Sequence, residues 1–322
     1  MMINQFNRRG FLAALGAAGA VAGTAAATPA WAAGRKPYFT RVGRPIGVQL
    51  YALGEAAQKD LGGTLKKLSA IGYRDFELPG FYNRAPKDLR ADADAAGARF
   101  NSIHLSMPNR LPPGGLGLMT GTQELADALN TLGIYKAVLP VPLLPDSFDP
   151  AGGRKALLDG VVAGGLDMWK RLADTLNERG AALKPYGIEL GYHNHNMEFR
   201  PQDGTTGWEV LLGRLDPKVT FLELDLGWIT AGGLDPAAEL RRLKGRVKMV
   251  HLKDVKASTK TNYELQQDPA ECGLGKFDWK AVLTACEAAG VEHYYVEQEP
   301  PFTRDRFESM KISHDFLARF VA

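Results

Sequence analysis

An alternation that runs from about residue 46 to the end of this 322-residue chain dictates the architectures open to it. Eight short β-like runs recur. They are "IGVQLYAL" (46–53), "YRDFELPG" (73–80), "ARFNSIHLS" (98–106), "YKAVLPVP" (135–142), "GIELGYHNH" (187–195), "TFLELDLGW" (220–228), "VKMVHLKDV" (247–255) and "HYYVEQE" (293–299). Segments of helical spacing lie between them. "LGGTLKKLSAIGY" has apolar residues at 65, 68 and 71 and a stop at Gly72. "TQELADALNTLGI" starts at a Thr cap, Thr122, and ends at Gly133; "DWKAVLTACEAAG" starts at Asp278 and ends at Gly290. "LDMWKRLADTLNERGAALKPYG" is long and amphipathic. Strands joined by single helices pair in parallel. Eight such units in one chain predict an α/β fold, a (β/α)8 TIM barrel. The other candidate, a doubly wound open sheet, lacks a G-x-G-x-x-G turn after the first strand.

Two stretches interrupt the rhythm. Residues 107–121, "MPNRLPPGGLGLMTG", and 256–276, "KASTKTNYELQQDPAECGLGK", both follow strands. In a barrel both belong to the C-terminal face, where active sites are built. Loops of that length read as walls or lids.

The N-terminus stands outside this pattern. "NRRGFLA" pairs Arg8 with Arg9, an Ala/Gly-rich run follows, and Ala30-Trp31-Ala32 forms an A-x-A site. A charged start, a short apolar middle and small residues at the cut are the parts of an export signal. The paired arginines resemble those of a twin-arginine signal. Residues 1–32 are therefore expected to be removed, leaving 33–322 as the barrel domain in the periplasm. The run is too poor in Leu and Ile to make a stable membrane anchor. Its removal takes two arginines and no acids, so formal charge falls from +3 to +1. That near-neutral balance argues against a nucleic-acid partner. Nothing in the sequence pairs Cys272 with Cys286, and both are expected as free thiols.

In a barrel, polar residues at the C-terminal ends of strands face the mouth. They are Glu77 on the second strand, His104 on the third, His193 and His195 on the fifth, Asp225 on the sixth, His251 on the seventh and Glu297 on the eighth. Carboxylates with imidazoles suit Mn2+, Zn2+, Co2+ or Fe2+, and the absence of cysteine excludes a thiolate zinc site. A polar, metal-free sugar pocket is the alternative.

"HLKDV", "LELDLGW", "YYVEQE" and "GYHNHNMEF" on late strands resemble the sugar phosphate isomerase/epimerase family with the xylose isomerase-like barrel, over roughly residues 44–320. The resemblance implies a divalent metal (Mn2+, Zn2+ or Co2+) held by a Glu, an Asp, a His and a Glu. Asp225, His251 and Glu297 match three of these positions. The family's Glu-Asn-His on the fifth strand reads His193-Asn194-His195 here, so His193 takes the glutamate's place. Glu189 is too early in the strand to replace it, and Trp228 stands where the family has a histidine.

That exchange bears on chemistry. Family epimerases move a proton between two glutamates. His193 on a metal has no spare carboxylate oxygen, so one-base chemistry fits better: isomerisation, or elimination and hydration beside a ketone. Glu297 is then the candidate base, with His104 or His195 as the acid. Glu77 and His104 could hold sugar hydroxyls, Lys253 an oxyanion, and Trp228 and Tyr51 a sugar face. For Lys253 a pair with Asp254 or with a carboxylate across the mouth is the competing role. Glu198 reads as a supporting group. An exported chain without a phosphate-cradling loop is expected to take an unphosphorylated carbohydrate, and some family members resemble enzymes that cleave or hydrate 3-keto-glycosides. Homo-oligomers are expected by analogy only. A non-catalytic sugar-binding barrel remains the second reading.

Overall fold

A computed structural model describes residues 36–322, apart from 109, 110, 112 and 145–147. The signal-like segment 1–32 lies outside the described residues. Eight parallel strands close into a barrel: β1 (Gly47–Gln49), β2 (Asp75–Leu78), β3 (Phe100–His104), β4 (Lys136–Leu139), β5 (Glu189–His193), β6 (Thr220–Asp225), β7 (Val247–Leu252) and β8 (His293–Val296). Each neighbours the next in sequence, and β1 pairs with β8 through Gly47 opposite Tyr295. One larger helix follows each strand: α1 (Leu61–Ile71), α2 (Pro86–Ala96), α3 (Thr122–Leu132), α4 (Gly153–Leu183), α5 (Gly207–Arg214), α6 (Pro236–Arg242), α7 (Trp279–Ala289) and α8 (Arg306–Arg319). The expected (β/α)8 architecture is the one observed.

The local signals mostly explain the boundaries. Asp278 Oδ1 accepts from Ala281 N and caps α7, and Gly133 and Gly290 end α3 and α7 in left-handed backbone. Thr122 is not a cap: α3 begins on it, and its hydroxyl accepts from Arg179 Nη1 instead. Gly165, at φ 55° and ψ −161°, breaks α4, so the amphipathic stretch starts just where its periodicity does.

Inside the barrel every second residue points inward. The lowest apolar layer is Val138, Phe221, Met249 and Tyr295, sealed from the main core between sheet and helices. Two strand glycines make room for it. A Cβ at Gly191 would meet the Phe221 ring at 2.5 Å, and one at Gly47 would meet Tyr295 Cδ1 at 2.7 Å. Two residues further along the same strands come Glu223, His251 and Glu297, and two further again Asp225, Lys253 and Glu299. The site is thus a ladder of i, i+2, i+4 side chains standing on an apolar floor.

Candidate metal centre

The sequence expectation brings His193, Asp225, His251, Glu297 and Lys253 together at the mouth, with His104 and Glu77 beside them. His193 and Asp225 are the last residues of their strands; Lys253 and Glu297 lie one residue past theirs. All five are buried.

The two inner histidines each divide their nitrogens between two acidic sets. His251 Nδ1 lies 2.7 Å from Glu297 Oε2 and 3.7 Å from Asp225 Oδ2, while its Nε2 lies 2.7 Å from Glu77 Oε1 and 3.4 Å from Glu223 Oε2. His193 Nε2 lies 3.9 Å from Asp225 Oδ2, and its Nδ1 lies 3.0 Å from Glu223 Oε2. One nitrogen of each ring therefore faces outward, to Asp225 and Glu297 for His251 and to Asp225 for His193, and the other is held from below by a carboxylate. That is the arrangement in which a carboxylate fixes the tautomer and orientation of a metal-binding imidazole.

Asp225 divides its oxygens likewise. Oδ1 accepts from Trp228 N at 2.8 Å and caps the short helix Leu226–Ala231; Oδ2 takes no directed hydrogen bond. Ligand–metal bonds of about 2.0–2.2 Å put neighbouring donors roughly 3–4 Å apart. Asp225 Oδ2, His251 Nδ1 and Glu297 Oε2 cluster closely enough for one ion, His193 Nε2 reaches that set only at Asp225 Oδ2, and nitrogen and oxygen donors of this kind fit a borderline divalent ion. A charge already shares the place. Lys253 Nζ lies 2.8 Å from Asp225 Oδ2, 3.0 Å from Glu297 Oε2 and 3.2 Å from Glu299 Oε1, over the Trp228 ring. The competing role foreseen for Lys253 is the one observed, through carboxylates across the mouth; Asp254 turns away.

Electrostatics separates the other histidines. Burial opposes charge on His104, but Glu77 and Glu223 beside it push its pKa up to about 9. His195 goes the other way, to about 3, through burial and then the Lys253 charge. Its Nδ1 has no partner among the described residues. Burial also disfavours ionisation of Glu297, yet Lys253 and His251 hold its carboxyl well below the usual range.

Several expectations need correction. Glu77 is fully buried, bonded to Gln49 Nε2 (2.7 Å) and His251, so it sits under the mouth rather than among sugar hydroxyls. Trp228 is in the first turn of a helix, not at a strand end, and is 3% exposed. Tyr51 stands in a 3-10 turn after β1 at 49% exposure. Glu198 is buried, accepts from Tyr192 Oη and His195 N, and burial raises it to about 7. Cys272 and Cys286 are free, as expected, but wholly buried.

Glu223 was missed altogether, although it faces inward two residues before Asp225. So was the anchoring of the 256–276 loop. Asp254 accepts from the backbone N–H groups of Val255, Gly273, Gly275 and Phe277 and from Trp279 Nε1. Asn196 ties the same loop to β5 through Asn262 and Leu265.

Residues 65–320 match the xylose isomerase-like TIM barrel family. The chain belongs to that family. Family membership agrees with the closed barrel. Inosose dehydratase from Clostridium beijerinckii is 36% identical over 89 residues, 28% of this chain and 29% of that protein. The chain thus spans under a third of that relative's length. A sugar phosphate isomerase/epimerase of Parabacteroides distasonis has a similar structure, with a TM-score of 0.66 and 25% identity over 85% of this chain and 96% of that one. A 3-keto-D-glucoside 4-epimerase from E. coli shares the fold, with a TM-score of 0.57 and 16% identity over 85% and 98% of the two chains. Among the described residues no helix is long and apolar enough to cross a membrane.

Proposed function

We propose that this family member is an exported enzyme that removes a proton next to the carbonyl of an unphosphorylated sugar or keto-glycoside, with a divalent ion held by His193, Asp225, His251 and Glu297. One observation carries the reading: His251 turns Nδ1 to Asp225 and Glu297 while Glu77 and Glu223 hold its Nε2, and His193 beside it turns Nε2 to Asp225 while Glu223 holds its Nδ1. When bound, the ion would polarise the carbonyl and stabilise developing negative charge. Mn2+, Zn2+ and Co2+ all suit this donor set.

The chain's own residues supply the rest. Glu297 is the base, kept ionised by Lys253 and His251. Lys253 offers an ammonium to an oxyanion once it exchanges contacts with the carboxylates around it. His195, with its pKa lowered to about 3, is neutral at pH 7 and suits holding a sugar hydroxyl rather than supplying a proton; His104 is charged and offers a proton, at the cost of its bonds to Glu77 and Glu223. Trp228 and Tyr51 line the cavity where a sugar ring would pack. A symmetric two-carboxylate epimerase fits less well. Position 193 offers an imidazole, and Glu223, the nearest spare carboxylate, is buried and committed to His104 and His193.

The inosose dehydratase and keto-glucoside epimerase relatives support chemistry beside a sugar ketone, and isomerisation or elimination and hydration are the reactions one base allows. The test is proton exchange: with methyl 3-keto-β-D-glucoside in D2O, NMR should show deuterium entering beside the ketone, and Glu297→Gln should slow it at least about 100-fold. No exchange and no turnover would leave a non-catalytic sugar-binding barrel.

A further inference from the structure

The mouth is not one cavity but two, with the exposed Tyr51 lining both. Their volumes are about 770 and 750 Å3. Each alone is in the range that holds a drug-sized ligand, more than a single hexose needs. The first lobe, over His195 and Trp228, sets the charged side chains Arg154, Lys260, Asp268 and Glu299 among apolar ones such as Leu157 and Pro300. The second, over His104, carries the aromatic pair Phe81 and Tyr82 with Leu50, Pro86 and Leu116, beside the polar Gln58, Asn83 and Ser106. Apart from His104, its one charged lining residue among those described, Arg84, is paired with Asp92 at 2.6 Å.

The candidate metal centre lies under the junction. The His193 ring centroid is 5.1 Å from that of His195 on one side and 5.1 Å from that of His104 on the other. Buried polar atoms without partners occur in both lobes: His195 Nδ1, Trp228 Nε1 and both amide atoms of Gln267 in the first, Tyr82 Oη in the second. Tyr82 and Asn83 are consecutive non-glycine residues in left-handed backbone, at φ 52° and 55°. Such strain persists only where the surroundings hold it, and here it sets Tyr82 in the wall of the second lobe.

We infer that the substrate is a two-part glycoside: a sugar in the lobe with the charged walls, its ketone over the centre, and a flat apolar aglycone against the Phe81 and Tyr82 pair of the other. This rests on the functional reading above and narrows it to glycosides with aromatic or similarly apolar aglycones. Stacking on aromatic faces and burial of the aglycone's apolar surface provide the preference.

The test compares methyl and phenyl 3-keto-β-D-glucosides by calorimetry with the purified protein. The phenyl compound should bind at least tenfold tighter. In Tyr82→Gly, which keeps the left-handed backbone open, the phenyl-to-methyl ratio should fall below threefold; Tyr82→Asn, also tolerant of that backbone, should do the same. Equal affinities, or a ratio unchanged in both variants, would overturn the inference even if turnover is seen. A phenyl preference without turnover would contradict the functional reading alone, and binding of neither compound would contradict both.

Discussion

At the scale of single residues, Glu223 deserves the weight that the sequence did not give it. Its Oε2 is 3.0 Å from both His104 Nε2 and His193 Nδ1. Glu223→Gln should keep the shape and lose the charge. Carboxylates that support metal-binding histidines are worth about 10–100-fold in affinity, so metal titration of that variant should show a loss in this range. Glu223→Ala leaves charged His104 with Glu77 alone, at 3.3 Å, and the lost hydrogen bond to a charged group should cost about 1.5–3 kcal/mol, measurable by denaturant unfolding. His104 adds a pH dependence. Its folded pKa, about 9, is above the ordinary 6.5, so it binds its proton more tightly in the folded state. Its stabilisation is full below pH 6.5 and is lost as pH rises through 9. Chelator-treated protein should therefore lose stability across that window, and His104→Gln should flatten the loss.

At the scale of elements, strands and loops were legible to different degrees. Alternation of β-like and helical runs placed all eight strands, and the polar residue ending each late run marked the mouth. Glu223 could have been found the same way, since it shares a face with Asp225. It was passed over because "LELD" reads as an apolar strand closing on one acid. Thr122 shows a limit of local signals: Arg179 and the backbone at Gly121 decide that helix start. The loop anchors were not legible, because Asp254 and its partners at 273–279 meet only after the chain has folded. Asp254→Ala removes one carboxylate that accepts five hydrogen bonds, and a loss of at least about 3 kcal/mol follows from leaving those donors unpaired. Hydrogen exchange should rise at residues 270–277 while the barrel strands stay protected. Gly275 belongs to the same anchor, since a Cβ there would meet Asp254 Oδ1 at 2.1 Å.

At the scale of the whole molecule, the two-lobed mouth could not be read in advance, because its walls come from loops after most of the eight strands. The signal-like segment 1–32 is the reverse case, proposed from the sequence and outside the described structure. If residues 1–32 are a twin-arginine-type signal, periplasmic protein should begin at Ala33 by intact mass, and replacing Arg8 and Arg9 with lysines should hold the precursor inside the cell. A formal charge of only +3 and a mouth of paired acids and imidazoles both point to a small polar ligand rather than a polyanion. The central claim is that these side chains bind a divalent ion. Calorimetric titration of chelator-stripped protein with Mn2+, Zn2+ and Co2+ should give one equivalent per chain, lost or weakened at least about 100-fold in His193→Ala and Asp225→Ala variants that remain folded. Absence of binding by the native chain, or binding that both variants retain unchanged, would contradict it.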